Sequence, residues 1–174
     1  MWEEPDALPR PALDRRDFRS ALGCFPTGVC LVTTMGPGGK AEGMTINSFT
    51  SVSLDPPMVL WSLSRAASSA PVFRDAEYFA VNVLAAEDEA LSAHFARQAP
   101  DKFAAFAGRF TPGLGGAPVL DGAAAIFECH TRHRNYGGDH IILIGNVERY
   151  TYSERAPLVF HRGKYATCNS GSGS

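Results

Sequence analysis

Four short stretches of this sequence hold side chains suited to chemistry. The densest is GMTINSFTSVSLDPP, residues 43–57, where Thr45, Asn47, Ser48, Thr50, Ser51 and Ser53 crowd between apolar residues. Buried hydroxyls and amides need partners. One partner is the local backbone, which Asn and Ser bond in turns. The other is a flat polar heterocycle, such as the pyrimidine edge of an isoalloxazine. Its carbonyl acceptors and N–H donor are complemented by hydroxyls, an amide and turn N–H groups. The second stretch sets Ser62, Ser64, Arg65, Ser68 and Ser69 at a strand end that leads toward a helix. Hydroxyls, a guanidinium and helix N-terminal amides make a phosphate site. An ordinary capped helix with a solvated arginine uses the same residues. The third stretch, GGDHIILIGNV (137–147), puts His140 on the strand face it shares with Ile142 and Ile144. There it is either a satisfied edge residue or a group that touches substrate. The fourth, PLVFHRGKY (157–165), places His161, Arg162, Lys164 and Tyr165 after a buried strand. Taken alone, it reads as a solvated strand end.

Other chemistries lack their residues. His130 and His133 are three apart on an expected strand and should face opposite ways, so no metal set of good spacing appears. GPGGK at 36–40 has a fragment of phosphate-loop composition, but the spacing is wrong and Ala41 follows Lys40; a hairpin turn fits better. There is no G-x-G-x-x-G after a strand and no G-x-S-x-G. The carboxylates are scattered and give no acid/base pair.

These stretches need a frame. Asp14 is an expected N-cap, with Phe18, Ala21, Leu22 and Phe25 following at helical spacing. Strands are expected at 28–34, 43–46, 58–63, 78–84, about 123–135, about 139–152 and 158–160. The turn between the two long ones holds Asn135, Gly137 and Gly138. Short helices fit 72–75 and 87–97, with Leu91 and Phe95 on the buried face of the second and acids at its start. Residues 112–122 read as a loop. Many strands, few helices and short connections predict a mainly β fold, an antiparallel barrel rather than a doubly wound sheet.

The chain has 174 residues, which suits one domain. We expect an irregular N-terminal arm over 1–13, a single domain over 14–168 and a flexible tail over 169–174. A net charge of -2 gives no basic surface for nucleic acid. No apolar run approaches the roughly 20 residues of a membrane span, and the N-terminus lacks the apolar stretch of a signal peptide. Cys24, Cys30, Cys129 and Cys168 form no C-x-x-C pair. They read as reduced thiols of a cytoplasmic protein, with Cys30 and Cys129 as small core residues.

Taken together and in order, the motifs resemble the short-chain flavin reductases, the reductase components of two-component flavin monooxygenases. The resemblance is carried by FPTGVCLVTT (25–34), GMTINSFTSVSLDPP (43–57), the serine-bearing region 58–73, FAVNVL (79–84), HFA and DKF (94–103), GDHIILIGNV (138–147) and PLVFHRGKY (157–165). It implies an FMN-binding split β-barrel built as a homodimer, with flavin sites near the subunit interface. It also implies hydride transfer from NADH or NADPH to FMN or FAD, and delivery of reduced flavin to a partner monooxygenase. By the same resemblance, Thr45, Ile46, Asn47, Ser48, Ser51, Val52 and Ser53 line the isoalloxazine. Ser62, Ser64, Arg65 and Ser69 hold the ribityl-phosphate end, and Lys102 and Phe103 border the flavin. His140 sits on the nicotinamide side as the catalytic residue, with Arg162 and Tyr165 nearby. Ala67 stands where relatives often carry a serine, which removes one possible phosphate hydroxyl. Two alternatives share the fold: an enzyme that keeps its flavin and reduces another acceptor, and a non-catalytic flavin or haem barrel. The sequence does not choose FMN or FAD, nor NADH or NADPH. Arg65, Arg132 and Arg134 are all available to a 2′-phosphate.

Overall fold

The computed structural model describes residues 13–168. The expected arm, except Leu13, and the expected tail lie outside them. Asp14 caps helix α1 (Arg15–Leu22), its carboxylate accepting from the Arg16 and Asp17 amides at 2.7 and 3.3 Å. Strand β1 (Thr27–Gly28) leads into β2 (Cys30–Met35), and the GPGG turn returns the chain as β3 (Ala41–Ile46). After three residues come β4 (Thr50–Leu54) and β5 (Pro57–Ser64), then α2 (Ala70–Asp75) and β6 (Tyr78–Val83). The acid-rich helix begins as a 3-10 turn at Ala86–Asp88 and continues as α3 (Glu89–Phe95). Then follow β7 (Phe110–Pro112), β8 (Pro118–Leu120), β9 (Ala125–Gly137), β10 (His140–Tyr152), β11 (Leu158–His161) and β12 (Lys164–Thr167).

Seven strands form one antiparallel sheet in the order β3-β2-β6-β9-β10-β5-β4. Its two edge strands, β3 and β4, are consecutive in the chain and joined only by residues 47–49. The sheet must therefore curl until its edges approach, yet no ladder joins them: this is a barrel left split. Alternation fills the interior. Val59, Trp61 and Leu63 of β5 and Ile141 and Leu143 of β10 point in, against Phe73, Phe79, Val81 and Cys129. The Trp61 ring meets Phe73 and Phe79 edge-on, with centroids 5.2 and 6.0 Å away. Gly145 is required on this inner face, because a Cβ there would stand 2.6 Å from the Phe79 ring. Outside β2 and β6, a second core forms from Leu31, Leu84, Leu91, Phe95, Leu120 and Leu158. Asn82 ties the layers, donating to the Leu31 carbonyl at 3.0 Å and accepting from the Leu120 amide at 2.8 Å.

Several expectations need correction. Residues 112–122 are not only loop: β8 lies within them and pairs with β7. The stretch after 160 is not a solvated end but the turn into β12, which pairs with β11. Asn135 and Gly137 belong to β9, leaving Gly138 and Asp139 as the turn. His130 and His133 do not oppose one another. They pair with Asn146 and Ile144, two residues apart on β10, because a bulge inserts Arg132 between them. Both therefore share one face. Among the described residues no group of three or more metal-ligating side chains forms. Helix α1 ends at Leu22, short of Phe25, and its apolar residues Phe18 and Leu22 face outward, more than half exposed, as is Phe25 beyond it.

Cys30 and Cys129 are buried and their thiols are pushed up to about 12 by loss of solvation, whereas Cys24 and Cys168 are exposed. Titration of the native protein with a thiol reagent at pH 8 should therefore show two fast thiols, and all four only after unfolding. Four fast thiols in native buffer would contradict this core.

Candidate functional site

Strand β5 sets the spacing of the site. Its outward residues Leu60, Ser62 and Ser64 pair with Ile144, Ile142 and His140 of β10. Two residues along a strand span about 7 Å, so His140 lies one such step beyond Ser62 on the same face. The chain that crosses the split is clamped to this face at Ser48. Its hydroxyl accepts from the Ser62 amide at 2.9 Å and donates to the Ser62 carbonyl at 3.2 Å. Ser51, Val52 and Ser53 follow on edge strand β4, where Val52 is the extra residue of a bulge and is turned outward.

Most of the polar groups here are left open. Among the described residues, the Asn47 amide and the hydroxyls of Ser51, Ser53 and Ser62 make no hydrogen bond within the chain. Local turn-making therefore does not use up the cluster. What remains is a row of donors and acceptors along a curled sheet edge, which fits the carbonyl and N–H rim of a flavin ring. Thr45 is positioned differently. Its hydroxyl donates to the Ser92 carbonyl at 2.7 Å, and the Ser92 hydroxyl meets the Tyr165 hydroxyl at 2.8 Å. Thr45, Ile46 and Asn47 then line a small pocket of about 180 Å³ with Val29, Phe160 and Tyr165.

His140 is half exposed, and its Nδ1 lies 2.8 Å from Asp139 Oδ1. That hydrogen bond, followed by the attraction of the imidazole and a smaller one of Arg15, holds the Asp139 carboxyl below its ordinary range. With Nδ1 engaged, Nε2 is the ring nitrogen available to a ligand. Asp139 thus orients His140, and it was missed as a site residue although it stands beside the histidine in the sequence. Ser92 was also missed, being one serine on an amphipathic helix with no motif around it.

The remaining expected residues are spread more widely. Arg65 is folded over the Tyr136 ring, 5.3 Å from its centroid, and reaches the Gly138 carbonyl at 3.5 Å. Ser64 accepts from the Ala66 amide at 3.3 Å. Ser69 is buried beside Met44. Lys102 donates to the carbonyls of Gly43 and Phe95, both at 3.1 Å, and partial burial lowers its pKa. It joins β3 to the end of α3. Phe103 stacks edge-on against Phe95 and Phe110 at 5.0 and 4.9 Å. Gly43 makes room for these rings, since a Cβ would stand 2.9 Å from Phe95 and 3.1 Å from Phe103. Arg162 occupies the left-handed region at φ 49°, with its amide on the Gly23 carbonyl at 2.9 Å and its guanidinium 3.6 Å from Cys24 Sγ. It faces the end of α1, whereas Tyr165 faces Thr45. The structure therefore gathers Ser48, Ser62, Ser64 and His140 on one face. It sets Ser69, Lys102 and Phe103 along the edge of β3, and Arg162 apart.

Comparison with known proteins shows the family. The family described as "Flavin reductase like domain" matches residues 22–169. The chain is 43% identical over 156 residues to an FMN reductase (NADH) of Agrobacterium fabrum, covering 86% of this chain and 84% of that one. It is 41% identical over 157 residues to a flavin reductase of Pseudomonas putida, covering 90% and 91%. The structure of a Streptomyces globisporus NADH:FAD oxidoreductase, in complex with NAD and FAD fragments, superposes with a TM-score of 0.86 at 37% identity, covering 92% of this chain and 96% of that one. A split barrel with an open polar edge beside an oriented histidine, matched over most of its length in sequence and in structure, identifies this chain as a member of the flavin reductase like domain family.

Proposed function

We propose that the protein is an NAD(P)H:flavin oxidoreductase that transfers hydride from reduced nicotinamide to FMN or FAD and releases the reduced flavin to a partner monooxygenase. The observation that carries this reading is the Ser48–Ser62 clamp, which ties the segment bearing the open polar groups to the sheet face that carries His140. Flavin and nicotinamide supply the redox chemistry when bound. The residues supply binding and orientation. Asn47, Ser51 and Ser53 offer donors and acceptors to the heterocycle's polar rim. Backbone N–H groups of residues 45–53 favour the extra negative charge of a reduced ring. His140 Nε2 positions the nicotinamide amide, and Asp139 holds the imidazole's angle.

The homodimer is part of the same proposal. Phe18 and Leu22 of α1, Phe25 just beyond it, and Val52 and Leu54 of β4 are exposed apolar side chains that a second copy would cover. Among the described residues, no helix is long and apolar enough to cross a membrane. Four free thiols suit the reducing cytoplasm, where we place the protein.

The test is loss of 340 nm absorbance from NADH and, separately, NADPH, under air with catalytic FMN or FAD. Oxidation should be fast only when free flavin is added. Oxidation without added flavin would favour an enzyme that retains its cofactor. No oxidation by a folded protein in any combination would refute the reductase reading.

A further inference from the structure

Three arginines line a cleft that flavin binding leaves unused. It encloses about 700 Å³ between α1 and the β11–β12 turn, with Arg16 and Arg19 on the helix, Cys24 just beyond it and Arg162 on the turn. Asp17 is the one carboxylate among the lining residues, so three positive charges face one negative. Phe18 and Leu22, the exposed apolar residues of α1, are not part of the lining. The turn is fastened to the helix end: the Arg162 amide donates to the Gly23 carbonyl at 2.9 Å, and its guanidinium donates to Cys24 Sγ at 3.6 Å. That single contact leaves the other guanidinium donors for a ligand. The cleft adjoins the site at two points. Arg15, the residue before Arg16, is close enough to Asp139 to help depress that carboxyl. Arg162 stands two residues beyond Phe160, which lines the small pocket with Asn47 and Tyr165. Helix α1 is about 12 Å long, which sets the cleft one helix length or less from Arg15.

We propose that this cleft takes the 2′-phosphate of NADPH, so that the protein oxidises NADPH in preference to NADH. The inference rests on the flavin-reductase reading, with His140 at the nicotinamide, and goes beyond it to the choice of hydride donor. NADH and NADPH differ only at the adenosine 2′ position, at the end of the dinucleotide away from the reacting ring. Like other phosphate monoesters, the group there carries about -1.5 to -2 charges at pH 7 and three acceptor oxygens. Guanidiniums suit both properties: they stay charged, and their planar forks of N–H donors bind phosphate oxygens in pairs. The neutral 2′-hydroxyl of NADH offers the three cations no counter-charge. Two of the arginines that the sequence left open for this phosphate are engaged elsewhere. Arg134 donates to the Arg74 and Ala76 carbonyls, and Arg65 lies over the Tyr136 ring.

The experiment measures kcat/KM for NADPH and for NADH at saturating flavin, in the wild type and three variants. It also measures inhibition by adenosine 2′,5′-bisphosphate, which has the 2′-phosphate, and by ADP, which has only the pyrophosphate. The wild type should favour NADPH by at least about fivefold. Arg16→Ala and Arg19→Ala should each lower kcat/KM for NADPH about tenfold, the loss of one charge-assisted hydrogen bond, and leave that for NADH within about twofold. Asp17→Asn should raise the NADPH value about two- to threefold, the opposite sign from the same local field. The bisphosphate should inhibit the wild type at least about tenfold more strongly than ADP, and Arg19→Ala should lose that advantage. Flavin affinity, which does not involve the cleft, should stay within about twofold throughout and shows that each variant is folded. A wild type that uses NADH as well as NADPH, equal inhibition by the two nucleotides, or variants that lower both donors alike would overturn the subsite while leaving the reductase reading intact. No oxidation of either donor by the folded protein would overturn both.

Discussion

Replacing His140 with Ala should lower kcat/KM for NADH by about 10- to 150-fold, the equivalent of one hydrogen bond involving a charged group, about 1.5–3 kcal/mol. The dissociation constant for FMN should stay within about threefold. The two effects separate because His140 and the flavin edge stand on different strands. His140 opens β10 opposite Ser64, while the open polar groups belong to the segment clamped by Ser48. Steady-state kinetics and flavin titration on one preparation measure both. Lost flavin binding with an unchanged hydride rate would remove His140 from the nicotinamide side.

Asp139→Asn tests how His140 is held. The substitution keeps the hydrogen-bonding shape and removes the charge 2.8 Å from Nδ1. Without that anion the ring loses the partner that holds it, so kcat/KM for NADH should fall about two- to tenfold. Linkage sets the pH range in which the effect is seen. The folded-state pKa of Asp139 is depressed by its bond to His140. The pair's contribution is therefore complete above the ordinary Asp value of about 3.9 and is lost as pH falls through the lower folded value. The kcat/KM of Asp139→Asn across pH should therefore lie below wild type wherever Asp139 is ionised and converge with it in acid. An unchanged profile would mean that Asp139 only shapes the turn.

How far the sequence exposed this site depends on what its residues had to do. Strands with period-two alternation, such as Val59-Leu60-Trp61-Ser62-Leu63, were legible because one face is core and the other is not. The polar loop at 43–57 was legible because so many hydroxyls in an apolar setting ask for partners. What escaped notice was set by geometry rather than composition. Strand β12 was hidden because its hairpin turn begins with Arg162 at φ 49°, a place where Asn, Asp or Gly is the usual signal. The shared face of His130 and His133 depends on one inserted residue, Arg132, and no periodicity argument contains a bulge. The outward apolar face of α1 has the same spacing as a buried one, since the pattern records a face and not what covers it. Arg65, expected at the ribityl-phosphate end, lies over the Tyr136 ring of β9, a contact that no local pattern announces.

Ser92 presents the sharpest case of a residue whose importance is tertiary, and its replacement should be among the most costly in the protein. It is fully buried on α3, yet it links three elements: its carbonyl accepts from Thr45 of β3 and its hydroxyl meets Tyr165 of β12. Ser92→Ala leaves the Tyr165 hydroxyl without its partner in a half-buried position, a cost of about 1–3 kcal/mol. Ser92→Val adds a branched side chain where there is no space, about 1–3 kcal/mol more. For a chain of this size the second variant should melt roughly 5–20 °C below wild type. Stability alone does not distinguish a packing residue from one that positions the site, but kinetics do. If Ser92 holds Tyr165 at the pocket beside Asn47, then Ser92→Ala and Tyr165→Phe should each raise KM for NADH. Their double variant should be no worse than the poorer single one, a coupling of about 1 kcal/mol. Additive effects on KM would mean that each hydroxyl acts alone. Unchanged KM in both, with a lowered melting point, would confine the link to packing. The expected non-additivity follows from the arrangement itself: once either hydroxyl is gone, the other has no partner on that side of the pocket, and its removal changes nothing further there.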